Sequence, residues 1–142
     1  MAGALLNSHT LYWLVSGVET LTDQALVAIG ENQAAGTLYA SPITAWELTI
    51  ASKKPAHRGP PDLGPGSPAL WFREAVKAVE AKIIPIRQTI AVEAAAVVEA
   101  TGHRDPGDCY LIATARVRKI PIITRDNILI GLDRAYLDVI EC

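Results

Sequence analysis

Residues 105–126 run Asp105-Pro106-Gly107-Asp108-Cys109-Tyr110-Leu111-Ile112-Ala113-Thr114-Ala115-Arg116-Val117-Arg118-Lys119-Ile120-Pro121-Ile122-Ile123-Thr124-Arg125-Asp126, and two periodicities follow one another in them. Aspartate before proline is a helix start: the carboxylate accepts from an orphan amide, and the fixed φ of proline suits the first turn. Leu111, Ile112 and Ala115 then recur at helical spacing. Ile120 to Thr124 is a short apolar, β-branched run, the pattern of a buried strand. A helix running straight into a buried strand is the unit of an α/β fold.

The same alternation extends in both directions. Ala4-Leu5-Leu6 is a short apolar strand ending at Asn7, and Leu11, Leu14 and Val15 mark a helix after it. Thr22 caps a second helix with Leu21, Ala25, Leu26 and Ile29 on one face. Thr37 to Ala40 reads as a strand. Ser41-Pro42 then opens a helix through Trp46, Glu47 and Ile50, with Ile43, Trp46 and Ile50 expected on its buried side. Pro55 to Pro68 holds five prolines and three glycines. It is a loop rather than a linker, because it lies too near the middle to separate two cores. Residues 53–70 are expected to be exposed and to meet a partner. Trp71 to Ala81 has helical spacing and Lys82 to Ile86 strand character. Ala91 to Ala100 is a helix closed by Gly102, and Tyr136 to Ile140 is the last strand. The expected fold is α/β, a three-layer α/β/α sandwich on a mostly parallel five-stranded sheet, as one domain over 1–142.

Composition narrows the function. At 142 residues with half of them apolar, the chain can bury one real core. No apolar run approaches the roughly 18 residues of a membrane span, and Met1 to Leu6 lacks the basic start of a secretory signal. Cys109 and Cys142 match no metal or redox spacing. A cytoplasmic protein with no membrane partner is expected. The net charge of −2 gives no bulk attraction to nucleic acid, so any binding must be local. Lys53, Lys54, His57 and Arg58 form one basic stretch, and Arg116, Arg118 and Lys119 another; both equally suit a solvated surface.

The acids carry more information. Asn7 and Asp126 follow strands, Glu47 lies one to two turns into a helix, and Asp105 and Asp108 sit at a helix start. Functional crevices of parallel sheets open beyond the carboxyl ends of their strands. If the first and fourth strands are neighbours, Asn7, Glu47, Asp108 and Asp126 can meet there. Such oxygen donors suit Mg²⁺ or Mn²⁺, which can activate water beside a scissile phosphate. Each residue also has a structural explanation: Asp105 as a cap, Asp108 as a dipole partner, Asp126 as a turn residue.

Four blocks carry a family resemblance: Leu5 to Leu14, Ser41 to Leu48, His103 to Ala113, and Thr124-Arg125-Asp126. In content and order they resemble PIN-domain ribonuclease toxins of the VapC type, over essentially the whole chain. The resemblance implies Mg²⁺ or Mn²⁺ binding and endonucleolytic cleavage of RNA (tRNA, rRNA or mRNA). It also implies a homodimer, a cognate antitoxin, and operator DNA met only through that antitoxin. Glu47, Asp108 and Asp126 match family acids at catalytic and metal positions. Asp105 matches an auxiliary acid, and Ser8 and Thr124 match supporting hydroxyls. Arg104 and Arg125 are expected to contact substrate. The departure is Asn7, where the family has aspartate. An amide oxygen still coordinates but adds no charge. Introduced silencing and a degenerate natural member both remain open, as does a non-catalytic RNA- or protein-binding module on the same fold. A phosphoacceptor receiver is excluded: position 7 is not aspartate, and no acidic pair follows the first strand.

Overall fold

A computed structural model describes residues 3–142; the first two residues of the expected 1–142 domain lie outside the described residues. In chain order the elements are β1 (Ala4–Leu6), α1 (Ser8–Ser16), α2 (Asp23–Ala35), β2 (Leu38–Ala40), α3 (Pro42–Ser52), α4 (Pro68–Ala78), β3 (Lys82–Ile83), α5 (Gln88–Thr101), α6 (Pro106–Arg118), β4 (Ile122–Thr124), α7 (Asn127–Ile130) and β5 (Val139–Glu141). A single 3₁₀ turn, Ala56–Arg58, sits in the proline-rich stretch. The sheet order is β3-β2-β1-β4-β5, and all four pairings are parallel.

The strands alternate faces as pleating requires. Leu5 and Ile122 join α5 and α6 in one core, with Ala94, Val97, Leu111 and Ile112. Ala4, Leu6 and Ile123 turn the other way, onto Leu11, Ala25, Ile29 and Ala75 of α1, α2 and α4. Helices thus cover both faces, and β1 at the centre is fully buried. Burying a leucine of this kind contributes roughly 1.5–3 kcal/mol, so the first block fixes the middle of the sheet.

Capping follows the sequence closely. Thr22, Ser41 and Asp105 accept from Ala25, Ile43 and Asp108 amides, and Gly102 ends α5 in the left-handed region. Four expectations need correction. On α3 the buried stripe is Thr44, Leu48 and Ala51, leaving Trp46 and Ile50 nearly half exposed at 47% and 46%. The i, i+4, i+7 stripe beside the expected one meets α1 and α6. On α2, Leu26 is exposed for the same reason. The run 82–86 is strand only at Lys82–Ile83, on a sheet edge, with the Ile84 amide still donating to the Ala40 carbonyl of β2 just before Pro85. The last strand starts at Val139, Tyr136 and Leu137 being held in a turn by the carbonyl of Asp133. Within 53–70, most residues are exposed, yet Leu63 is buried against Tyr12 and Leu48, and the Tyr12 hydroxyl accepts from the Asp62 amide.

Candidate metal centre

The chain leaves β1 towards β2 on one side, while β4 lies on the other. The carboxyl ends of β1 and β4 therefore bound the switch-point crevice of this sheet. Asn7 is the first residue past β1, and its amide N–H donates to the Ile123 carbonyl at 3.1 Å. Its Oδ1 accepts from Ser8 N at 2.7 Å, and its Nδ2 donates to Thr124 Oγ1 at 2.6 Å. That same Oγ1 accepts from the Asp126 amide at 3.0 Å, while Asp126 Oδ1 caps α7 through Ile128 N at 2.8 Å. One buried hydroxyl thus ties the two strand ends together.

Ser8 opens α1 with its hydroxyl buried. Its Oγ lies 2.9 Å from Thr44 Oγ1 and donates to Glu47 Oε1 at 2.5 Å. Glu47 is brought here by the second turn of α3 and leans on the first turn of α6. The contact exists because residue 107 is glycine: a Cβ there would overlap the Glu47 carboxyl group and lie 2.7 Å from its Cγ. On α6, Asp108 Oδ2 sits 2.6 Å from His103 Nε2, and Asp105 caps the helix by accepting from the Asp108 amide at 3.0 Å. The imidazole fixes the rotation of the Asp108 carboxylate.

The electrostatics follow from crowding. Burial pushes the Glu47 carboxyl up to about 7, with Asp108, Asp105 and Asp126 adding to the rise and the Ser8 hydrogen bond opposing it. Burial also raises Asp108, helped by Asp105 and Asp126 and resisted by His103. Like charges that raise one another's pKa want a cation between them.

Each of three acids has one oxygen tied to the protein and one that receives no donor from the described residues: Glu47 Oε2, Asp108 Oδ1 and Asp126 Oδ2. Carboxylate and amide oxygens are hard donors, the type that a divalent cation such as Mg²⁺ or Mn²⁺ takes. Among the described residues, the acidic group whose ligand atoms lie within 4.8 Å of one another is His103, Asp105 and Asp108. Glu47 and Asp126 stand outside that group and reach it through charge.

The expected supporting residues Ser8, Asp105 and Thr124 all contact these acids or Asn7. The two arginines differ. Arg125 lines a cavity with Asn7 and Asp126, its guanidinium held by the carbonyls of Cys142 and Thr20. Arg104 lines a cleft between α5 and α6 instead. Of the basic stretches, Arg116 is engaged by Glu93 and the Tyr136 carbonyl. Thr44 and Gly107 escaped the sequence reading. Thr44 lies three residues before Glu47, on the same helix face, and Gly107 directly precedes Asp108; those spacings were the available signals.

A family model described as "PIN domain" matches residues 4–135. Among solved structures, the chain is similar to a toxin–antitoxin complex from Klebsiella pneumoniae, with 23% identity, 97% of this chain and 96% of that chain covered, and a TM-score of 0.61. It is similar to VapBC2 from Rickettsia felis, solved bound to a promoter DNA fragment, with 12% identity, 97% of each chain covered and a TM-score of 0.66. It is also similar to VapBC-5 from Mycobacterium tuberculosis, with 20% identity, 99% and 98% covered and a TM-score of 0.59. At these identities the likeness is one of fold. No curated protein matches the sequence.

Proposed function

The chain belongs to the PIN-domain family, and from that premise we propose that it is the endoribonuclease toxin of a bacterial VapC-type toxin–antitoxin pair, silenced or weakened by Asn7. The observation that carries this is the set of half-anchored carboxylates at the switch point of β1 and β4. Each has one oxygen held and one that receives no donor from the described residues, which supports a shared cation.

Asp108, Asp126 and the oxygen of residue 7 would hold the cation, with Glu47 at the rim. When bound, Mg²⁺ or Mn²⁺ would activate water and offset charge on a scissile RNA phosphate. His103 keeps Asp108 turned inward, and Thr124 sets the spacing between residues 7 and 126. Glu47, held through Oε1 by Ser8 and with Oε2 receiving no donor from the described residues, would take the proton of an attacking water. Asn7 would supply an oxygen but no charge; its Oδ1 already accepts from the Ser8 amide and its NH₂ is committed to Thr124.

The partners follow from the same premise: a cognate antitoxin in the cytoplasm, operator DNA through that antitoxin, and a second copy of this chain. For the second copy, Pro42, Ile43, Trp46, Ile86 and Tyr110 line a shallow, predominantly apolar cavity. Exposed patches of this kind mark association.

The test is cleavage of labelled tRNA, rRNA and mRNA by this chain and by Asn7→Asp, with Mn²⁺ and with a chelator. Cleavage restored by Asn7→Asp and abolished by the chelator is the expected result. RNA binding without cleavage in both forms would instead favour a non-catalytic binding module on this fold.

A further inference from the structure

Beside the acids, a cavity of about 270 Å³ is lined by Asn7, Thr10, Asp126, Arg125, His9 and Trp13. A second cavity, of about 210 Å³, lies on the far side of His9 and Trp13, walled by Gly59 and Pro60 of the proline-rich loop. The two rings are therefore a shared wall between the acid cluster and that loop. Their centroids are 5.8 Å apart and their planes are tilted by 46°. Arg125 lies over the Trp13 ring at 4.6 Å, clamped there by two backbone carbonyls.

Trp13 is half-buried, packed against the core and against the Tyr12, Leu48 and Leu63 cluster, while His9 is exposed. Together they present an aromatic surface with one guanidinium fixed beside it. Its chemistry matches a single-stranded nucleotide: an aromatic surface takes a base of any identity, and flanking cations take the phosphates. The acids would face the phosphate next to that base, because Asn7 and Asp126 line the same cavity.

We propose that His9 and Trp13 form a stacking platform for the base adjoining the scissile phosphate of single-stranded RNA, with Arg125 beside its backbone. This rests on the ribonuclease assignment above, and Asn7 makes it testable without turnover.

The experiment is fluorescence anisotropy of a short labelled 2′-O-methyl oligoribonucleotide on this chain, on His9→Ala, and on Trp13→Leu and Trp13→Phe. A matched set of oligonucleotides carries one abasic position each. Trp13→Leu is expected to weaken binding by roughly 5- to 150-fold, the range for one lost base–aromatic stack, with Trp13→Phe close to the parent. One abasic position should cost as much, and should cost nothing further in Trp13→Leu. His9→Ala, being at an exposed site, keeps the test valid if Trp13→Leu does not fold. Equal affinity of parent and His9→Ala, or additive losses everywhere, would overturn the platform while leaving the ribonuclease assignment intact. No binding by the parent chain would overturn both. Binding of RNA unaffected by either variant would give the groove to a protein partner instead.

Discussion

At the ends of β1 and β4 the chain makes the same construction twice. A three-residue buried strand ends, a small polar residue caps the next helix, and the cap is tied to Thr124 Oγ1. At β1 the cap is Asn7, with Oδ1 on the Ser8 amide; at β4 it is Asp126, with Oδ1 on the Ile128 amide. Asparagine and aspartate cap helices about equally well. Either residue can cap, so the two ends differ in charge and in how they reach Thr124: the Asn7 side-chain NH₂ donates to its Oγ1, whereas at Asp126 the backbone amide does. Capping alone therefore does not set the charge at these positions.

That comparison is broken most sharply by moving the charge. In the Asn7→Asp background, Asp126→Asn preserves the cap and the Thr124 tie but removes a ligand carboxylate. Cleavage should fall by roughly 100-fold or more, the scale of losing one preorganised charge-stabilising group. The melting temperature should barely move. Steady-state kinetics beside thermal unfolding checks both; a large stability loss with little kinetic change would mean that Asp126 is a cap and nothing else.

A second comparison sets the Glu47 contact against ordinary helix propensity. Gly107→Ala should cost about 1–3 kcal/mol by overpacking against Glu47. In Glu47→Ala the same substitution should stabilise by up to about 1 kcal/mol, because alanine is the better helix former. Urea unfolding of the four proteins gives the cycle. A destabilisation of equal size in both backgrounds would show that Gly107 does not seat Glu47.

The third contrast is in pH. Glu47 holds its proton up to about 7 in the folded chain, against 4.5 for an ordinary glutamate. Between those values the unfolded chain loses the proton first, so stability should fall as pH rises through that window and then level off. Glu47→Gln should flatten that slope, leaving the smaller part that the raised Asp108 carboxyl contributes. Identical pH profiles for the two proteins would contradict the burial of this carboxyl. The smallest effect belongs to Asp105→Ala, which should cost about 1 kcal/mol as a lost cap and leave Mn²⁺ affinity nearly unchanged. A large loss of Mn²⁺ affinity would promote the His103, Asp105 and Asp108 group to the main site.

The fold was legible where local rules decide it. Apolar runs found the central strands, and Asp-Pro, Ser-Pro and Thr caps found the starts of α6, α3 and α2. The sheet edges were less so, because Lys82–Ile83 and Val139–Glu141 are too short for periodicity to separate from their flanks. Helix faces failed where two apolar stripes lie side by side: Trp46 and Ile50 outrank Thr44 and Ala51 in hydropathy, yet the smaller side chains allow the closer approach to α1. Among the candidate site residues, the places of Asp108 and Asp126 at helix starts and of Glu47 in the second turn of α3 were readable. Gly107 and Thr44 were not, since they act through what they leave room for or what they hold, and only coordinates reveal that.

The central claim is that Asp108, Asp126, Glu47 and the residue at position 7 share one cation. Calorimetric titration of Mn²⁺ into this chain and into Asn7→Asp, in one buffer, measures it directly. Adding a carboxylate to the site should tighten binding by about tenfold or more, equivalent to about 1.4 kcal/mol, with one shared stoichiometry. Equal affinities for the two proteins would mean that position 7 does not face the cation, and the centre proposed at the ends of β1 and β4 would be wrong.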